Sequence, residues 1–283
     1  MMFDLMVRRS EETVMADKNI LHMVTPLKHI SPFDVNMAVD AGYDVVFPYT
    51  DVKLEEISGL VQDAIFSRRP KIGARTAMFI GGRNAALALD MLSRAKKALV
   101  PPFGISFFAD PSGSFTTAAA MVACVEKVLK EKKQRNLKGL KVAVFGATGV
   151  VGFSAAVIAA LEGADVTLVG YDGIKRVSDA AQEIKTRFGA DVRAADGSDD
   201  ARKSEILNSA EAVFAAGRAG VQILSKTQVA QAKRLLIAAD VNAVPPSGIE
   251  GLASQPEPHR SAQASAGPIV HPDALIRRPC PVN

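Results

Sequence analysis

The run Lys141-Val142-Ala143-Val144-Phe145-Gly146-Ala147-Thr148-Gly149-Val150-Val151-Gly152-Phe153-Ser154 decides how this chain is read. Residues 142–145 are apolar without alternation, which suits a parallel strand covered on both faces. A glycine turn follows, and then small and aliphatic residues over 153–161 that let a helix lie close against the strand. The N-terminus of such a helix presents unpaired N–H groups and the positive end of the helix dipole, so it favours a pyrophosphate. Gly149 and Gly152 match the last two glycines of the dinucleotide fingerprint. Ala147 stands where the first would be, with Gly146 one residue earlier, so the turn by itself is a weak signal and its neighbours must decide.

The neighbours read as a succession of β–α units. Residues 165–170 form the next predicted strand, and Tyr171-Asp172 follows at the distance where an acid hydrogen-bonds the adenosine ribose. Lys175 and Arg176 lie just beyond, able to accept a 2′-phosphate, so both NAD and NADP are expected as cofactors. A helix over 174–188 carries Ile174, Val177, Ala181, Ile184 and Phe188 on one face. Strands are predicted at 191–194, 212–215 and 235–239, with a helix near 201–207. Such alternation means a doubly wound, Rossmann-type parallel sheet. A structural glycine turn holding some other ligand is the plain alternative.

Working outward, residues 19–115 read as a second α/β domain, with strands at 20–24, 44–47, 76–80 and 105–108 and helices near 33–41, 54–66 and 84–99. Ligands in open α/β sheets bind beyond the carboxyl ends of strands, so the loops 25–31, 81–82 and 110–114 are candidate sites. A helix over 116–133 leads into the nucleotide domain, assigned to 116–252, and a cleft is expected between the two domains. Its closing lysines read as a wet helix end. Residues 1–18 read as a disordered extension. Residues 253–283 break character, with six prolines, three arginines, two histidines, no lysine and no aromatic residue. They are expected to be disordered, either as a natural tail or as the product of a shifted reading frame.

Composition bounds the function. With 34 basic and 30 acidic residues the net charge is +4, with no dense basic block, no Trp and three Tyr, so nucleic acid is not an expected partner. No stretch is apolar enough to span a bilayer, and Cys124 and Cys280 make no disulfide framework, which points to a reducing, cytoplasmic setting. Four histidines, largely dispersed, form no metal site, so no metal is expected. His22, inside a short apolar strand, reads as a satisfied core histidine.

Residues 21–42, which include Thr25-Pro26-Leu27-Lys28-His29-Ile30-Ser31-Pro32-Phe33-Asp34, closely resemble the start of NAD(P)-dependent methylene-tetrahydromethanopterin dehydrogenases of methylotrophic bacteria. Phe79-Ile80-Gly81-Gly82, residues 108–117 and residues 240–249 resemble the same family, in the same order. The resemblance covers about 20–252 and departs from the family after it. It implies a pterin-substrate domain at 19–115 and an oxidoreductase of one-carbon metabolism. Such an enzyme oxidises a methylene-tetrahydromethanopterin to the methenyl form in formaldehyde oxidation, reduces NAD or NADP, and works as a homo-oligomer. Methylene-tetrahydrofolate as substrate, and a non-catalytic NAD(P)-binding redox regulator, remain alternatives.

The reaction needs no nucleophile and no base. Nitrogen lone pairs expel a hydride and leave an amidinium cation, so the protein must align two flat ligands and favour positive charge. Asp34 and Asp110 are candidates for that field and Phe33 for stacking on the pterin. Alternatively, Asp34 caps its helix, Phe33 is the hydrophobic staple, and Asp110 organises a Pro-Ser-Gly turn. Ser114 and Thr117 offer hydroxyls beside nicotinamide or phosphate, or merely cap a helix. Gly217, Arg218, Asp240 and Asn242, at the ends of two strands, complete the expected cofactor contacts, alongside residues 146–152 (Gly146, Ala147, Thr148, Gly149, Val150, Val151 and Gly152). Pro245-Pro246 is expected to aim Asp240 and Asn242 back at the cleft.

Overall fold

The computed structural model describes residues 17–242, 244–252, 269–272 and 278–279. Most of the N-terminal extension and most of the 253–283 tail lie outside the described residues. The chain separates into two compact units, residues 1–112 and 113–283.

The first unit contains β1 (Ile20–Val24), α1 (Pro32–Asp40), β2 (Val45–Tyr49), α2 (Ile57–Phe66), β3 (Thr76–Ile80), α3 (Ala85–Lys97) and β4 (Ser106–Ala109). Its strands form a four-stranded parallel sheet in the order β2-β1-β3-β4. Alternate residues of each strand face opposite sides. Leu21, Met23, Ala77 and Phe79 pack with Ala38 of α1 on one face, and Val24, Met78 and Ile80 of the other set are also buried. His22 has the partner expected of it: its Nδ1 lies 3.0 Å from the Tyr49 hydroxyl. Burial, and then the nearby positive charge of Arg68, hold its pKa below the ordinary histidine value.

The second unit contains α4 (Ser114–Lys133), β5 (Lys141–Phe145), α5 (Val150–Leu161), β6 (Asp165–Gly170), α6 (Lys175–Phe188), β7 (Arg193–Asp196), α7 (Asp200–Ser209), β8 (Ala212–Ala215), α8 (Lys226–Gln231), β9 (Ile237–Asp240), β10 (Ile269–Pro272) and β11 (Arg278–Pro279). The sheet order is β11-β10-β9-β8-β5-β6-β7, parallel from β9 to β7. Ala143 and Phe145 share a buried cluster with Leu207 of α7 and with Ala232, while the alternate residues Val142 and Val144 are equally buried. Both faces are therefore covered, as the unbroken apolar run requires.

Three differences from the sequence reading are informative. The strands read at 191–194 and 235–239 begin two residues later. Helix α8 is short and was not anticipated; its start is set by a capping box in which Ser225 Oγ accepts from Gln228 N and Gln228 Oε1 accepts from Ser225 N. In the segment expected to be disordered, β10 pairs antiparallel with β9 and β11 pairs antiparallel with β10. Backbone pairing of so few residues needs no side-chain period, which is why composition did not reveal it.

Candidate functional site

The glycine turn after β5 is shaped by contact, with little room for side chains. Gly146 has φ +77°. A Cβ there would lie 2.3 Å from the Ala216 carbonyl oxygen and 2.7 Å from the Gly217 nitrogen. Gly146, one residue before the fingerprint position, thus makes the tight turn, and Ala147 is buried behind it. A Cβ on Gly152 would come within 2.3 Å of the Gly146 carbonyl oxygen. Gly152 therefore lets the start of α5 press onto the turn. Gly149 is different: it is the extended N-cap residue of α5, its N–H donates to Gly146 O at 2.9 Å, and it is exposed. Thr148, Val150 and Val151 are half-buried around it. Bare backbone at the N-terminus of a twelve-residue helix matches what a pyrophosphate needs.

At the end of β6, Tyr171, Asp172, Lys175 and Arg176 are all exposed. Arg176 Nη1 donates to Asp172 Oδ2 and to the Tyr171 hydroxyl, both at 3.0 Å. Its guanidinium carbon sits 5.7 Å from the Tyr171 ring centroid. Lys175 instead pairs along its own helix with Asp179. Of the two basic residues expected beside the ribose, the structure brings only Arg176 to Asp172.

The four residues expected at the ends of β8 and β9 fall into two kinds, Gly217 and Arg218 partly or fully exposed and Asp240 and Asn242 buried. Arg218 is exposed, and Gly217 lies against Ile223, whose Cδ1 would be 2.5 Å from a Cβ. Asp240 is 1% exposed; its carboxylate accepts from Asn242 N and Ile249 N, each at 2.9 Å. Burial lifts its pKa above the usual carboxylate value, against the pull of the backbone N–H groups of Asn242, Ile249 and Gly248. The Asn242 side chain is bonded to backbone as well: Oδ1 accepts from Gly220 N and Val244 N, and Nδ2 donates to Pro246 O. The Pro245-Pro246 turn is thus drawn onto Asn242, and both side chains turn inward to the loops.

Ser114, the first residue of α4, is buried, and the Thr117 hydroxyl donates to the Gly113 carbonyl at 2.6 Å.

In the first unit, Phe33 is 49% exposed on the first turn of α1. The N-cap is Ser31, so Asp34 lies inside the first turn and does not cap it. The residues in staple positions are Ile30 and Val35, both packed on the Leu21–Met23–Phe79 cluster. The two structural alternatives for Phe33 and Asp34 are removed by this register. Burial first, and then the negative charge of Asp110, raise the Asp34 pKa to about 6. Asp110 is itself buried, and its N–H donates to Ile80 O at 3.1 Å. Ser112, at φ +57°, donates its hydroxyl to Gly82 O at 2.8 Å, tying the loops after β3 and β4 together. Seventy-odd residues of sequence separate Asp34 from Asp110, and no local spacing signals their coupling.

Among the described residues no group of three or more His, Cys, Asp or Glu side chains is placed to hold a metal, and no helix is long and apolar enough to cross a membrane.

Residues 32–112 match the family described as "Methylene-tetrahydromethanopterin dehydrogenase, N-terminal". The chain is 55% identical over 235 residues to the "NAD(P)-dependent methylenetetrahydromethanopterin dehydrogenase" of Methylorubrum extorquens, covering 83% of this chain and 79% of that protein. It is 36% identical over 222 residues to the "Bifunctional protein MdtA" of the same organism, covering 78% and 75%. Among solved structures, shikimate 5-dehydrogenase from Listeria monocytogenes in complex with shikimate and NAD aligns at 14% identity over 78% of this chain and 74% of that one, with a TM-score of 0.43.

Proposed function

The chain belongs to the methylenetetrahydromethanopterin dehydrogenase family, and from that membership we propose that it transfers a hydride from methylene-tetrahydromethanopterin to NAD or NADP, leaving the methenyl cation. The observation that carries the nucleotide half of this reading is the 146–152 turn, where two glycines meet backbone too closely for any Cβ and a third leaves the helix start bare. When bound, NAD(P) supplies the hydride acceptor. The protein's part is to hold and to polarise. The N–H groups at the start of α5 hold the diphosphate, and Asp172 accepts from a ribose hydroxyl.

On the substrate side, Phe33 offers an exposed face for the pterin ring, and Asp34 and Asp110 supply negative potential. Ionised carboxylates act where the cation develops, and no proton leaves the carbon, so neither serves as a base. Asp34 titrates near 6, so turnover is expected to rise as pH passes through that value. A solvent-exchangeable proton plays no part in the step, so deuterated water leaves turnover unchanged while deuterium on the methylene carbon slows it. The same reading places the protein in the cytoplasm as a homo-oligomer that works without membrane or nucleic acid.

The test is to follow reduced-nicotinamide absorbance with each nucleotide and with methylene-tetrahydromethanopterin or methylene-tetrahydrofolate. Turnover with the methanopterin carrier is the expected result. Turnover with the folate carrier alone changes the substrate, and nucleotide binding without turnover makes the protein a sensor.

A further inference from the structure

The loops after β8 and β9 behave as one body, and two buried side chains make them so. Asp240 holds the backbone of Asn242 and Ile249. Asn242, 5% exposed, reaches from the second loop to the first, where its Oδ1 accepts from Gly220 N at 3.3 Å. The Gly248 carbonyl oxygen closes the other end by accepting from Ile223 N at 2.7 Å and Leu224 N at 3.0 Å. Directly before these ties, and ending at the Gly220 one, lies the segment 216–220, whose start presses on Gly146: the Ala216 oxygen and the Gly217 nitrogen occupy the space a Cβ would need.

The location of this segment gives it meaning. The chain runs outward from β5 to β6 and β7, then returns to place β8 on the other side of β5, so the topological switch lies between β5 and β8. A dinucleotide lies across such a switch, with its diphosphate on the first glycine turn and its adenosine toward the next strand in sequence. The adenosine half belongs to β6 and Asp172. The nicotinamide half then extends over the ends of β8 and β9, along residues 217–220.

We propose that Asn242 is a positioning residue for the nicotinamide half of the cofactor, acting through the 217–220 loop, with Asp240 fixing the backbone from which it reaches. This rests on the nucleotide reading above. Neither side chain needs to touch the cofactor, because their hydrogen bonds to Gly220, Asn242, Val244, Pro246 and Ile249 all go to backbone. Released from Gly220, the loop would sample positions in which its backbone groups and Arg218 no longer meet the nicotinamide, while the diphosphate cradle stays intact.

The experiment compares two ligands on the full chain by calorimetric titration: NADH, and ADP-ribose, which shares the adenosine and diphosphate but lacks nicotinamide. Asn242→Ala removes all of the side chain's bonds. Asn242→Ser is the gentler variant, since a serine hydroxyl reaches Val244 N but is too short for Gly220. Melting temperatures establish that each variant is folded, and the Ser variant decides the matter if the Ala variant is not. The expected result is NADH binding weakened by about tenfold in either variant, from loss of the Gly220 hydrogen bond that both lack, with ADP-ribose binding changed by less than about twofold. Equal weakening of both ligands, or no change in either, overturns the positioning role. A wild-type chain that binds neither ligand overturns the nucleotide reading and the inference with it.

Discussion

Asp172, two residues past the end of β6, and Asp240, the last residue of β9, occupy similar stations in one sheet and live in opposite environments. Asp172 is exposed and held by an exposed arginine in the first turn of α6. Asp240 is sealed from solvent and held by main-chain N–H groups. A surface ion pair is weak and screened, so its members can exchange partners with a ligand at little cost. A buried carboxylate that satisfies backbone donors has no such freedom, since releasing them leaves polar groups unpaired in a dry interior. Two residues that look alike as strand-end acids therefore divide into one able to serve as a contact and one built in as a support.

The largest effects are expected where neither environment offers any slack. Gly152→Val forces a side chain into the Gly146 carbonyl and is expected to destabilise the chain by about 1–3 kcal/mol or more and to abolish nucleotide binding. Gly149→Val meets only a 3.3 Å contact. It is expected to lose binding equally while keeping a melting temperature much nearer the wild type. Calorimetry and thermal melts on the two variants separate access from packing; equal melting temperatures would show that Gly152 is not the packing glycine.

The same substitution at the two aspartates tests the comparison itself. Asp240→Asn places an amide where two backbone donors need acceptors and should cost about 1–3 kcal/mol, read from urea denaturation. Asp172→Asn should change stability by less than about 0.5 kcal/mol. Similar losses at both positions would break the distinction between support and contact.

Asp34 is half-buried and sharpens the scale between them. Its folded pKa, about 6, lies above its ordinary value of 3.8. The folded state thus binds the proton more tightly, and this contribution to stability is full below about pH 4 and lost as pH rises through 6. Asp34→Asn, which has no charge to desolvate, should gain on the wild type by about 1 kcal/mol at pH 7 after allowance for solvent screening, and not at pH 4. Turnover should move the other way, falling by about tenfold to a hundredfold with a smaller change in KM, because the cation it favours exists only as the hydride leaves. A fall in binding alone would make Asp34 only a substrate contact.

The smallest effect belongs to the exposed pair. Arg176→Ala should raise the KM for NADP by about tenfold and leave that for NAD nearly unchanged, since the 2′-phosphate takes the place of Asp172 on the guanidinium. Asp172→Ala should shift preference toward NADP. Parallel changes for both nucleotides would show that the Arg176–Asp172 pair does not read the phosphate.

What the residues themselves determined is what repeats or lies close in sequence. The apolar run 142–145 meant a strand covered on both faces, the glycines at 146, 149 and 152 meant a close approach of helix and turn, and the alternation of elements meant a doubly wound sheet. Each depends on backbone conformation and hydrophobic period, which act over a few residues. The tertiary structure alone decided which polar side chains face inward. Asp240 and Asn242 look from sequence like two more acids and amides at strand ends, but the returning chain at Gly248 and Ile249 surrounds the first and Gly220 meets the second. Asp34, on α1, likewise acquires its shifted titration from burial and from Asp110, in the loop after β4. Burial and charge coupling are properties of what surrounds a group in space, and no short window of sequence contains them.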